Sequence, residues 1–504
     1  MTRQRALLLS FALLASCASS PGAETPPDTS VPADAAADTA PDMGLAETAQ
    51  DRIPTDIDWA ALPTLPPDKT FTTRYAAGAA SRTINPPEPI GVHLGGFGLC
   101  MFAPDDCKYS IGIHDDLRVA AAAIADTETG ELVIFVGVDA LGLFRCDIDP
   151  IHAAAPAAFY QRFGIRLDGP RVVIGASHTH GGPDTAGLYG PMLGAEREEE
   201  AYIALVRDAI LEVALDAVED LGDATLDRAI GEAPNHDDDV HADEETLHVL
   251  RARRPSGDIV FHLARWNAHP TVTGFDNDAI TADWVGTFRM RLEAEAGGAT
   301  VYLNGPVGSV YADEVDDCQE PDAFPEGVQD PDLDPADYGQ VACVGYRIAD
   351  AALAALEAPI PIAETGIVFR HTHFGFHPTN TLMAVLLASS PIPMEIPEDV
   401  HDPAALMFTQ FSWITVGDLD LLTTPGEAFP HFAAHAQQRL LAAGVETPVV
   451  LGLTQDWLGY LMSEEQYFEE ELSYYRQLTP GELVEGTYLQ ALDDLIAAEG
   501  APGR

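Results

Sequence analysis

The stretch GASHTHGGPD (175–184) sets two imidazoles, His178 and His180, one residue apart at the end of an apolar run and just before a Gly-Gly-Pro turn. On extended backbone, residues i and i+2 point to the same face, so both rings can converge on one pocket at a strand's end. Such ends are where α/β sheets open crevices for ligands. Alone, the pair reads either as metal ligands or as a hydrogen-bonded polar strand edge. Two further stretches repeat the arrangement. FHLARWNAHPTVTG (261–274) runs a strand into a turn carrying His269, and LLTTPGEAFPHF (421–432) ends a strand at Pro425-Gly426 and puts Glu427 at the opening of a helix. A glutamate there is by itself a favourable partner of the helix dipole. Together the three stretches offer imidazoles and a carboxylate, the donor set zinc takes, with one position left for water in a catalytic site. A second His-x-His, in HTHFGFHP (371–378), reads as strand polar surface or a pocket wall.

Strands and helices must carry these residues. ELVIFVGVDAL (131–141) is apolar and rich in β-branched residues, and IHAAAPAAFYQRFG (151–164) follows with helical spacing and a terminal glycine. RVVIGAS (171–177) is the next buried strand, and residues 195–221 form a long amphipathic helix with an acidic first turn. Later strands fall in DIVFHLARW (258–266), TVYLNG (300–305) and WITVGDLDLLTTP (413–425); later helices fall over 340–357, 428–443 and much of 463–498. This alternation predicts an α/β fold, with mixed β-sheets flanked by helices in a single large domain.

The chain has 504 residues, 46% of them apolar, enough for a substantial core. Its formal net charge of -54 excludes nucleic acid and anionic bilayer surfaces as partners, because the mean field repels phosphate. Arg3 and Arg5, an apolar run from Ala6 to Ala15 and the box LASC read as a secretory signal over residues 1–17. The box resembles the bacterial lipoprotein signal, with Cys17 as the lipidated residue; the alternative is an ordinary cleaved signal. The expectation is export, followed by lipid anchoring in the cell envelope or secretion. Residues 18–67 are Ala, Pro, Asp, Thr and Ser with few large apolar side chains, and read as a flexible linker. In an oxidising compartment the pairs Cys100/Cys107 and Cys318/Cys343 are candidate disulfides, with Cys146 left over. The acidic runs at 235–245 and 329–339 read as solvated loops; the second has Pro335 where a calcium loop of the EF-hand type needs glycine.

The order of segments resembles the neutral/alkaline non-lysosomal ceramidases. The blocks are AAGAASRTINPP (76–87), GIHDDLRVAAAAIAD (112–126), VGVDALG (136–142), GASHTHGGP, NAHPTVTG with TADWVG, NGPVGSV, TTPGE and GYLMSEEQY, spanning roughly 75 to 490. The resemblance is to the family's N-terminal catalytic domain, here residues 68–500, with no counterpart of its immunoglobulin-like C-terminal domain. It implies a Zn2+ site in which His178 and His269 are the histidine ligands, Glu427 the carboxylate ligand and Tyr460 the tyrosine that completes the coordination. His180 then lies near the catalytic water and handles proton transfer, as a side chain that titrates near neutrality. Tyr460 would also stabilise a developing oxyanion. The implied reaction is hydrolysis of an amide, with a lipid amide such as an N-acylsphingosine as the small-molecule substrate.

One departure stands out. Where the family has a Gly-Asp-Val-Ser-Pro-Asn turn, VGSVYADE (307–314) has Ser309 at the aspartate position and Tyr311 at the serine position. Ser309 is the candidate substitute catalytic serine. The basic residue that the family has after the asparagine of PNHDDD (234–239) is also changed, to His236. Two other readings stay open beside the amidohydrolase: an esterase or amidase for a non-sphingolipid substrate, and a non-catalytic binding lipoprotein that retains the fold.

Overall fold

The computed structural model describes residues 57–97, 107–189, 200–238, 244–318, 336–380 and 407–499. Cys17 and the signal segment, most of the linker, Cys100 and the start of the 329–339 acidic run lie outside these residues. The end of the linker, 57–67, lies against the domain: Arg166 N–H donates to Pro63 O at 2.8 Å, and Leu65 packs on the core.

Four strands begin the fold: β1 (Tyr75–Thr83), β2 (Arg118–Asp126), β3 (Leu132–Val138) and β4 (Val172–Ala176). Alternate residues go to opposite faces, and both faces are covered, so β2–β4 read as continuous apolar runs instead of alternating ones. Ala121, Ile134 and Ile174 pack under the helices α1 (Arg145–Phe163) and α2 (Glu200–Glu219); Ala122, Phe135 and Val173 face an interior cluster. Strands β5 (Gly222–Glu232), β6 (Thr246–Arg253), β7 (Ile259–Trp266) and β8 (Ala299–Asn304) extend the sheet in the order β8-β7-β6-β5-β1-β2-β3-β4. The β7/β8 and β3/β4 pairs are parallel and the rest antiparallel, a mixed sheet.

Leu263 of β7 and Leu303 of β8 return to the interior cluster that holds Phe135 and Val173, so the sheet folds over on itself. The outer face of its second half is covered by α3 (Trp284–Ala296) and α4 (Ala336–Ala355), through Trp284, Phe288, Val344 and Ile348. A four-stranded sheet closes the third side, in the order β9 (Ile367–Phe376), β10 (Met407–Val416), β11 (Leu419–Thr423) and β12 (Pro448–Leu451). Its Ile414, Leu421 and Val449 join the same interior, while Phe411 and Trp413 pack outward against α5 (Pro430–Ala442) and α6 (Val484–Glu499). Three sheet faces thus share one apolar interior, each backed by a helix pair. Truncating a side chain there, such as Phe135, costs about 3–5 kcal/mol.

Several elements differ from the sequence reading. WITVGDLDLLTTP is a hairpin: β10 ends at Val416, Gly417 adopts a left-handed φ of 64° that a side chain would strain, and β11 starts at Leu419. Glu427 does not open a helix. It lies on a two-residue strand, Glu427–Ala428, paired in parallel with Tyr460–Leu461, and the helix begins at Pro430. The region 463–498 holds a short turn of helix at Glu464–Tyr467, a 3-10 turn at Tyr475–Leu478 and α6, because Pro480-Gly481 cannot continue a helix. Cys318 and Cys343 form a disulfide. Cys107 and Cys146 are each disulfide-bonded too, so Cys146 is not left over; spacing along the chain says nothing of which cysteines folding brings within reach. Among the described residues no helix is long and apolar enough to cross a membrane.

Candidate metal centre

Each of the three sheet faces sends one strand end to the same point. His178 follows β4, His269 follows β7 and Glu427 follows β11. Asn304, at the end of β8, fixes the end of β4 by donating to Ala176 O and Ser177 O at 3.0 and 2.8 Å.

His178 adopts a left-handed φ of 68°, a conformation a histidine holds only when its surroundings impose it. They do so through the segment VGVDALG. The His178 N–H donates to Ala140 O at 2.9 Å, and its Nδ1–H donates to Leu141 O at 2.6 Å. That segment is in turn anchored by a buried bidentate pair between Arg289 and Asp139, at 2.8 and 2.5 Å. His269 is fixed in the same manner. Its Nδ1–H donates to Val310 O at 2.9 Å, and Trp284 Nε1 donates to His269 O at 3.2 Å. The loop beyond it is gathered by the buried carboxylate of Asp283, which accepts from Thr273 N at 3.0 Å and Trp284 N at 2.7 Å. Burial raises the pKa of Asp283, against the hydrogen bonds that favour its charge.

Glu427 completes the set. Trp457 Nε1 donates to Glu427 Oε1 at 2.8 Å, leaving Oε2 facing His178 Nε2 at 3.2 Å and His269 Nε2 at 3.4 Å. A side chain at Gly308 would strike Glu427 O and Phe429, so only glycine lets the 305–308 turn come this close. His180 Nε2 lies 3.4 Å from His178 Nε2, its ring set edge-on to Phe97 at 4.8 Å between centroids.

This donor set fits a divalent metal. A carbonyl oxygen only accepts, so the Nδ1 atoms of His178 and His269 carry the hydrogens and their Nε2 atoms present lone pairs. Those lone pairs meet the Glu427 carboxylate with no hydrogen between them. His269 Nε2 is buried without a hydrogen-bond partner. A cation suits such a space, and one ring nitrogen from each of His178, His180 and His269 lies within 4.8 Å of the other two.

The electrostatics agree. Burial opposes the charge on Glu427, yet positive charge at His178 and His269, carried by protons where no cation is bound, holds its carboxyl well below the usual range. Burial, reinforced by His178 and His269, holds His180 well below the ordinary histidine value. His180 is therefore a neutral ring, not the near-neutral titrating group its residue type suggests. Burial, with Glu427 adding to it, pushes the Tyr460 phenol well above its ordinary value, so it keeps its proton as a donor. Its ring lies 6.5 Å from that of His269.

Ser309 is not directed at the histidines: its hydroxyl donates to Asp237 Oδ1 at 2.6 Å. Tyr311 is, with its ring stacked on His269 at 5.0 Å and 20°. Two supporting residues escape a reading of the sequence. Trp457 lies three residues before Tyr460, but nothing in that spacing aims its indole at Glu427. Asp184 closes the opening decapeptide and accepts from Ala186, Gly187 and Tyr189 N–H groups at 2.7–2.9 Å, shaping the loop after His180.

No family model and no curated protein matches the sequence. Solved structures do. The neutral ceramidase from Pseudomonas aeruginosa matches with a TM-score of 0.66 at 17% identity, over 86% of this chain and 76% of that one. A ceramidase complexed with C2 matches with a TM-score of 0.64 at 16% identity, over 85% and 75%. The chain therefore has the neutral ceramidase fold.

Proposed function

We propose that this protein is a zinc-dependent hydrolase of amide bonds, ceramidase-like in its chemistry and acting on an N-acyl lipid. The observation that carries the reading is the convergence of His178 Nε2, His269 Nε2 and Glu427 Oε2, three buried acceptors without a donor between them. His178, His269 and Glu427 would hold the ion, with Tyr460 beside them. A bound Zn2+ supplies a Lewis acid that polarises a carbonyl and makes water acidic. The chain's own residues do the rest. Neutral His180, part-buried next to His178, accepts a proton from the attacking water. Tyr460, which keeps its hydrogen, donates to the oxygen that gains charge. Trp457 fixes the Glu427 carboxylate in its orientation.

Tyr311 at the family's serine position favours a second reading, hydrolysis of another acyl amide or ester. Export and anchoring through Cys17 belong to the same proposal. Metal analysis of the purified protein, followed by hydrolysis assays on fluorescent N-acylsphingosine and a panel of acyl amides and esters, tests it with Glu427→Ala as control. Zinc with turnover lost in the variant is the expected result. Zinc without turnover of any acyl compound leaves a binding protein, and absence of metal overturns the site.

A further inference from the structure

The roles above leave a chain of three polar groups unused. Tyr311 Oη lies 3.0 Å from Tyr475 Oη, and Tyr475 donates to Asp238 Oδ2 at 2.5 Å. Tyr475 is buried, edge-on to Tyr460 at 5.0 Å and to Phe429 at 5.2 Å between centroids. Asp237, one residue earlier, turns to Ser309 instead, and His236 Nε2 stands 3.5 Å from the other oxygen of Asp238.

The direction of this chain follows from hydrogen counting. A carboxylate offers no hydrogen, so the Tyr475 hydrogen goes to Asp238. Tyr475 has then no hydrogen left for Tyr311 and can only accept from it. The Tyr311 hydrogen is committed to Tyr475, and the Tyr311 oxygen retains lone pairs but no hydrogen to give. Its ring lies flat on His269, so that oxygen belongs to the wall of the metal centre and presents an acceptor.

We propose that Tyr311 is a specificity-determining residue, its phenol oxygen accepting the N–H of a scissile secondary amide. An ester has an oxygen in that place, which would meet lone pair with lone pair. The wall thus sorts amides from esters through the substrate's one differing atom. This deepens the hydrolase reading and rests on it.

The test compares kcat/KM for a matched pair, one secondary amide and one ester with the same acyl chain and the same alkyl group, in the zinc-loaded full chain. Tyr311→Phe keeps the ring on His269 and removes the oxygen; zinc content and thermal melting check that the centre is intact. The amide-to-ester ratio is expected to fall by about two- to tenfold, the worth of one hydrogen bond. Tyr475→Phe releases the Tyr311 hydrogen, so the ester gains a donor and the ratio narrows as well. An unchanged ratio in both variants, or wild-type turnover of the ester with none of the amide, overturns the inference. Wild-type protein that cleaves neither has failed as a hydrolase. The same ratio is then read from calorimetric affinities for the uncleaved pair, where a preference for the amide that Tyr311→Phe abolishes supports the inference and equal affinities overturn it.

Discussion

The tripeptide His-Thr-His occurs twice, at 178–180 and at 371–373, and the two copies have different fates. His371 and His373 lie inside β9, paired residue for residue with Ser412 and Gln410 of β10. Their rings share a face, 4.8 Å apart, as regular pleating requires. His371 Nδ1 bonds Ser412 Oγ at 3.0 Å, and His152 of α1 adds a third imidazole nearby, bonded to Val172 O at 3.0 Å. Yet among the described residues only the other copy forms a group able to hold a metal. The first copy lies beyond its strand, where the left-handed backbone at His178 turns the ring out of the pleat towards His269 and Glu427. What makes a site of the motif is the break in strand geometry, together with two donors from elsewhere in the chain.

Three measurements test that contrast. His178→Ala removes a proposed ligand and is expected to abolish stoichiometric zinc and lower turnover by at least about 10²-fold, whereas His371→Ala leaves zinc content at the wild-type level. Equal zinc loss in both variants would erase the distinction between the copies. The second concerns acid. Burial holds His152 down to about 4, below the 6.5 of the unfolded chain. Between those values the unfolded state binds the proton and the folded state does not. Stability present above pH 6.5 is therefore lost as pH falls towards 4, by up to on the order of 3 kcal/mol. Urea unfolding as a function of pH should show this slope, flattened by about one proton in His152→Gln. The third is the mildest: Trp457→Phe takes the donor from Glu427 Oε1 and should weaken zinc binding about 10- to 100-fold while the fold and melting of the metal-free protein hold.

Strands β3, β4, β7 and β8 were legible because residues buried on both sides leave long β-branched runs, and His178, His269 and Glu427 because each follows such a run. The resemblance supplied the pairing of Glu427 with Tyr460, which the two short parallel strands now place opposite one another. Less was legible where backbone geometry overrides residue type. Pro425-Gly426-Glu427 reads as a helix start, yet the chain adds two strand residues before Pro430. His180 reads as a titrating ring until its burial among His178 and His269 is known. The fate of Cys146 and the aim of the Trp457 indole depend on contacts between distant segments that no local pattern encodes.

The proposed ligands at 178, 269 and 427 come from three different sheet faces. An ion held by all three would act as a reversible cross-link between segments far apart in the chain, and closing such long loops stabilises a folded chain as a disulfide does. It would bind the folded state and not the unfolded one, so the protein would gain stability with free zinc concentration. The same ion would thus serve as catalyst and as fastening, and withdrawing it would loosen three sheet faces at once.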